Sequence, residues 1–178
     1  MSEDAIQKAA DMLLEAYQTG KACAPVRDLL PEGDVDAAYA VQEINTERRL
    51  AGGARMVGRK IGLTSKLVQK QLGVDRPDFG ILFADMAVPD GEEVDTSSLL
   101  DPRVEAEITY VLEKDIKFEK PTNSDVIDAI AYATPSIEIV DSRVKDWNIK
   151  IQDTVADNAS AVLYVLGNQK VKIEDFDG

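Results

Sequence analysis

Glu105 and Glu107 stand one residue apart inside the apolar run Pro-Arg-Val-Glu-Ala-Glu-Ile-Thr-Tyr-Val-Leu at 102–112. The β-branched and aromatic residues of this run predict a strand, and the two-residue period of a strand sends both carboxylates to one face. A fold containing such a strand must leave that face open to water or supply a cation or a shared proton. Otherwise the buried anions carry an unfavourable desolvation energy, or their pKa values move to avoid it. Glu138 repeats the situation within Pro-Ser-Ile-Glu-Ile-Val-Asp at 135–141, again with apolar neighbours on both sides. Three carboxylates in a chain with no histidine and a single cysteine suit a hard, oxygen-seeking cation such as Mg²⁺ or Mn²⁺, and not zinc. An edge strand with one solvated face explains a Glu-x-Glu pair without any metal, so the spacing alone leaves both readings open.

The 178 residues, 44% of them hydrophobic, are enough to bury one sizeable core. The expectation is a single domain over 1–178, with a helical portion at 1–53 and a β-rich, metal-binding portion at 54–178. Thirty-three acidic against twenty basic residues give a formal charge of −13, which disfavours nucleic acid and anionic membrane as partners. Held against that field, a small anionic substrate needs a bound metal or a well-placed lysine or arginine. The lone Cys23 permits no internal disulfide, and the acidic Met-Ser-Glu-Asp start lacks the basic and apolar regions of a signal peptide. A cytoplasmic location is therefore expected, and no apolar run approaches membrane-spanning length. The lack of histidine excludes Ser-His-Asp and Cys-His catalysis and leaves Cys23 without an activating base. Carboxylates, lysine, tyrosine, bound water or metal remain to move protons.

Ile6, Ala9, Ala10, Leu13 and Tyr17 at helical spacing predict an amphipathic helix over 3–19 that stops at Gly20. Ala37, Val41 and Ile44 predict a second over 35–50 that ends at Gly52-Gly53. Short apolar runs at 56–63, 81–88, 104–112, 136–141 and 161–166 predict strands. Between them, 65–72 and 124–133 predict short helices, the latter capped by Thr122, Asn123 or Ser124. The plan is α+β.

Gly58-Arg59-Lys60-Ile61-Gly62 places a lysine between glycines on a strand, so that other groups can approach the backbone closely. Lys60 is a candidate anion contact or proton carrier; a surface lysine on an edge strand is the competing account. In Val-Asp-Arg-Pro-Asp-Phe-Gly at 74–80, turn chemistry explains Asp75, while Asp78 suits either a turn or acid/base work at a strand end. The stretches 141–147 and 153–160 are dense in hydrogen-bonding side chains, as an irregular backbone wall around a site requires. Trp147 is expected to pack rather than to stack on a substrate.

Together, Gly-Arg-Lys-Ile-Gly-Leu-Thr at 58–64, Gln-Leu-Gly-Val-Asp-Arg-Pro-Asp-Phe-Gly at 71–80, Pro-Arg-Val-Glu-Ala-Glu-Ile at 102–108 and the 141–160 segment resemble the 2-hydroxypenta-2,4-dienoate hydratases. These belong to the fumarylacetoacetate hydrolase superfamily and serve aromatic meta-cleavage pathways. The resemblance runs from Ala24 to Gly167 and implies a mixed, rolled β-sheet. It also implies a divalent metal, Mg²⁺ or Mn²⁺, on Glu105, Glu107 and Glu138, with Lys60 and Asp78 beside it as acid/base candidates. The implied substrate is a small 2-oxo or 2-hydroxy-dienoate, and the implied partners are further copies of the chain and a 4-oxalocrotonate decarboxylase. Competing readings are decarboxylation of 2-oxo-3-hexenedioate, acylpyruvate hydrolysis, and a non-catalytic acidic binding subunit; the Trp147 segment favours the hydratase. Members of this family continue past the point matched by Gly167. The expectation is therefore a C-terminally truncated sheet with an unpaired edge or an exposed apolar face.

Overall fold

The computed structural model describes residues 3–175 and has the expected α+β plan. Helix α1 (Glu3–Thr19) and helix α2 (Val35–Ala51) pack through Ala9, Ala10, Leu13, Ala37, Ala38 and Val41, all buried. Alanines on both faces let the backbones come close, and the Asn45 amide donates across the seam to the Ala10 carbonyl. Asp34 caps α2 by accepting from the Ala37 amide, and Gly52 closes it. Tyr17, expected on the buried stripe, is exposed; Ala16 takes the inward position, and Arg49 stands over the Tyr17 ring.

Two sheets follow. Strand β1 (Met56–Gly62) pairs antiparallel with β2 (Asp78–Phe83), with helix α3 (Lys66–Leu72) between them. The second sheet is mixed, in the order β3 (Ala87–Val88), β6 (Ala161–Leu166), β5 (Ile130–Val140), β4 (Arg103–Leu112). Strand β3 runs parallel to β6, whereas β5 is antiparallel to both neighbours. The predicted helix over 124–133 is shorter: α4 spans Asn123–Ile127, with Thr122 as its cap. From Ile130 the chain is strand instead, because Ile130 and Tyr132 lie opposite Leu112 and Val111 of β4, and cross-strand pairing of apolar residues outweighs local helix propensity. A helix not anticipated from the sequence, α5 (Ile151–Ala156), packs Val155 and Ala156 into the α1–α2 core.

As expected of an open sheet, β4 has no strand on its outer side among the described residues. Val104, Ile108, Tyr110 and Leu112 of β4, with Ile137 of β5, form an exposed apolar face. Register puts Glu105 and Glu107 on the opposite face from these residues. No helix among the described residues is long and apolar enough to cross a membrane.

Polar groups from 141–160 tie the helices to the two sheets. The Arg143 Nε donates to Asp157 Oδ1 at 2.5 Å, and the Arg143 amide donates to Asp157 Oδ2 at 2.9 Å, with both side chains buried. Asp141 accepts from the Leu100 and Asp101 amides and so holds the approach to β4. Arg27 reaches Asp153, and Gln42 bridges the carbonyls of Phe79 and Val155. Removing one partner of a buried pair strands the other charge, at a loss of about 3–5 kcal/mol. Asp157→Ala should therefore lower the melting temperature by roughly 6–20 °C, whereas Asp11→Ala, which breaks the exposed pair with Arg48, should leave it nearly unchanged. Similar melting temperatures for the two variants would contradict this account.

Candidate active site

Strand register brings the three glutamates together. Glu105 of β4 lies directly opposite Glu138 of β5, and Glu107 follows two residues along on the same face, opposite Ser136. One carboxylate oxygen from each lies within 4.8 Å of the others. Glu105 and Glu107 are exposed, while Glu138 is only 6% exposed. Its burial follows from its central position: β4 flanks Glu138 on one side, and Tyr164 of β6 lies opposite it on the other.

The β1–β2 hairpin delivers the two acid/base candidates to this face. Lys60 lies opposite Gly80 and Gly62 opposite Asp78. At neither glycine is there room for a side chain. A Cβ on Gly62 would fall 2.2 Å from Asp78 Oδ1 and 3.4 Å from Lys60 Nζ; one on Gly80 would meet Lys60 Cγ at 3.0 Å and the Asn158 carbonyl at 2.5 Å. The close approach expected of the glycines beside Lys60 is thus realised at Gly62, where the Asp78 carboxyl occupies the space a side chain would take. Lys60 Nζ ends 3.1 Å from Glu138 Oε2 and donates to the Ala159 carbonyl at 3.0 Å.

The five residues singled out from the sequence therefore form one neighbourhood, joined through Lys60 and Glu138. Burial raises the Asp78 carboxyl above its ordinary pKa; Lys60 opposes the shift and Glu105 adds to it. Burial likewise raises Glu138, against the pull of Lys60 and with the push of Glu105 and Glu107. Asp78 Oδ1 and Glu138 Oε1 are buried and have no hydrogen-bond partner among the described residues. An oxygen-only donor set with one such unsatisfied carboxylate oxygen fits a divalent cation of the Mg²⁺ class. Cys23 takes no part: it is bonded by its backbone to Arg143 and Lys145, and burial pushes its thiol up to about 11.

Part of the site was not singled out from the sequence. Asn158, Ala159 and Ser160 all adopt left-handed backbone, with φ of 54°, 50° and 58°. Such conformations cost of order 1–3 kcal/mol each away from glycine, and they persist only where surrounding contacts enforce them. The available signal was the asparagine, a residue that tolerates this region, within a segment already dense in polar groups. Ser160 Oγ is a third buried atom without a partner among the described residues. Trp147 packs as expected, donating to the Asp101 carbonyl at 2.9 Å with Arg103 stacked 4.0 Å from its ring centre. Asp75 pairs with Arg76. A cavity of about 480 Å³ is lined by residues of 33–36 and 73–76 with Ile151, and contains none of the five candidates.

The raised Asp78 carboxyl has a consequence for stability. Because the folded state holds this proton more tightly than the unfolded chain, stability falls as pH rises from the ordinary carboxylate value through the raised one. In metal-free protein, Asp78→Asn should therefore melt higher than wild type at pH 7, and the difference should vanish under acid conditions. A variant that melts lower at pH 7 would contradict the desolvated carboxyl.

No family model matches the chain. It is 56% identical over 173 residues to the TodF product hydratase of a Pseudomonas putida strain, covering 97% of this chain and 65% of that protein. It is also 56% identical over 178 residues to the 2-keto-4-pentenoate hydratase of a Burkholderia vietnamiensis strain, covering 99% of this chain and 68% of that one. The chain thus spans about two thirds of the length of these relatives. Among solved structures, 4-oxalocrotonate decarboxylase from Pseudomonas putida G7, complexed with magnesium and adipate, matches with a TM-score of 0.91 at 33% identity. That match covers 99% of this chain and 67% of the decarboxylase, and it gives the fold as the fumarylacetoacetate hydrolase type. With more than half of its residues shared with these hydratases across nearly its whole length, the chain belongs to the 2-keto-4-pentenoate (2-hydroxypenta-2,4-dienoate) hydratase family.

Proposed function

We propose that Glu105, Glu107 and Glu138 hold one Mg²⁺ or Mn²⁺ ion and that the site serves the hydration of 2-hydroxypenta-2,4-dienoate to 4-hydroxy-2-oxopentanoate. The observation that carries this reading is the convergence of the three carboxylates beside Lys60, with a buried Glu138 oxygen left unsatisfied. The family supplies the substrate class, and the magnesium-bound decarboxylase is a structural precedent for the cation. When bound, the cation would supply Lewis-acid polarisation of a 2-oxo acid.

The reaction adds one water: hydroxyl to C4 and protons to C5 and C3, while the 2-hydroxyl loses its proton to become the ketone. Lys60 and Asp78 are the candidates to move these protons. Lys60 has its ammonium fixed by Glu138 and the Ala159 carbonyl, so it can donate without first searching for an orientation. Asp78 is held over Gly62, and its raised pKa brings it closer to the range in which a carboxyl both gives and takes a proton. Glu105 and Glu107 keep the face anionic, which deters a free anionic substrate until a cation offsets them. Assembly into a homo-oligomer, association with a partner 4-oxalocrotonate decarboxylase and a cytoplasmic location are part of the same proposal, on the resemblance and the sequence alone.

Calorimetric titration with Mg²⁺ and Mn²⁺ should give one site per chain, and Glu107→Gln should weaken it at least about tenfold. An unchanged affinity in Glu107→Gln would remove the triad from consideration. Lys60→Ala and Asp78→Asn should each lower kcat for dienoate hydration by roughly 10²-fold or more, with metal affinity little altered. Carbon dioxide release from 2-oxo-3-hexenedioate, without hydration of the dienoate, would replace the hydratase by the decarboxylase.

A further inference from the structure

The loop that holds Lys60 is itself held by one side chain. The Asn158 amide grips both backbone groups of Ile81, its Oδ1 accepting from the Ile81 amide at 2.7 Å and its Nδ2 donating to the Ile81 carbonyl at 2.9 Å. The pair mimics the rung of a further strand on β2, made by a side chain. Asn158 thereby pins the start of a left-handed turn whose next residue, Ala159, presents its carbonyl to Lys60 Nζ at 3.0 Å. The same turn lays the Asn158 carbonyl across Gly80, the residue opposite Lys60 on β2, where a Cβ would approach it to 2.5 Å. Lys60 also passes over Gly80, with its Cγ and Cδ 3.0 and 3.1 Å from that same Cβ position. One side chain thus controls both the path of the Lys60 stem and the acceptor at its tip.

We infer that Asn158 is a positioning residue for Lys60, acting by clamping β2 and forcing the left-handed turn that aims the Ala159 carbonyl at the ammonium. The inference rests on the proposed acid/base role of Lys60 only for its effect on turnover; the placement of the ammonium is a separate matter. Left-handed backbone over three consecutive non-glycine residues is unfavourable unless something outside the turn enforces it. The two bonds to Ile81 are a connection of that kind, and they come from the strand that faces Lys60. Without them the turn is free to relax, its carbonyl swings away, and the lysine retains only the Glu138 carboxylate as a partner.

Asn158→Gly is the informative substitution, because glycine accepts the positive φ and removes the clamp without adding backbone strain. The probe is brief acetylation of the full chain, with the modification of Lys60 measured against that of exposed Lys117 in the same molecule. Lys60 should label at least about fivefold faster relative to Lys117 in the variant, as expected of a locally opened contact. Val41→Ala, which thins the helical core without touching the Asn158 bonds, controls for general loosening and should leave the ratio unchanged. If Asn158→Gly does not fold, Asn158→Asp keeps the acceptor, loses the donor to the Ile81 carbonyl and takes its place in the same comparison. An unchanged ratio, or an equal rise in Val41→Ala, would overturn the inference. Where the chain hydrates the dienoate, Asn158→Gly should also lower kcat at least about tenfold with KM little changed, since a misplaced catalytic group is lost chiefly from turnover. An unchanged kcat beside faster labelling would instead count against Lys60 as the acid/base group, which separates the two claims.

Discussion

The contact between Lys60 and Glu138 is the interaction on which the site depends. Glu138 lies in the middle of a three-stranded stretch of sheet, where an isolated carboxylate would be strongly disfavoured. Lys60 comes from the other sheet, so the same 3.1 Å contact that offsets one oxygen of Glu138 also fixes the β1–β2 hairpin against the β4–β5 face. It leaves the second oxygen unsatisfied, in a residue whose carboxyl clusters with those of Glu105 and Glu107. A buried acidic group, a cation on one side and an unsatisfied oxygen on the other give the face two distinct halves. One half holds the clustered carboxylates, the other the lysine and the desolvated Asp78 carboxyl.

The rest of the fold serves this meeting of two sheets. The polar ties of 141–160 link the helical core to both hairpin and sheet: Gln42 to the carbonyls of Phe79 and Val155, Asp141 to the approach of β4, Asn158 to β2. These groups are mostly buried and well satisfied, so they confer geometric precision more than net stability. The glycines complete the arrangement by absence, since Gly62 yields its side-chain space to the Asp78 carboxyl and Gly80 to the Lys60 stem. Alanine at either position would displace the Asp78 carboxyl or the Lys60 stem rather than merely crowd a turn.

Much of this was legible in the sequence because it rested on period and on chemical type. The two-residue period put Glu105 and Glu107 on one face, and glycine on either side of Lys60 signalled a close approach. What was not legible depended on pairing between distant segments. That Glu105 would lie opposite Glu138, and Gly62 opposite Asp78, is a matter of register, which no local pattern specifies. The helix over 124–133 was overestimated for the same reason, since Ile130 and Tyr132 follow the strand they pair with. Helix α5 was missed because its six residues are too short to display a period, and its stability comes from packing Val155 and Ala156 into a core built by the first fifty residues. The left-handed run at 158–160 was unreadable because its conformation is imposed from Ile81, far away in sequence.

Anomalous diffraction from crystals grown with Mn²⁺ tests the central claim most directly. The account predicts one manganese peak with oxygens of Glu105, Glu107 and Glu138 all in its coordination shell and with Lys60 still against Glu138. A peak elsewhere, or a saturated crystal in which Glu105 and Glu107 point to solvent with no ion between them and Glu138, would contradict it.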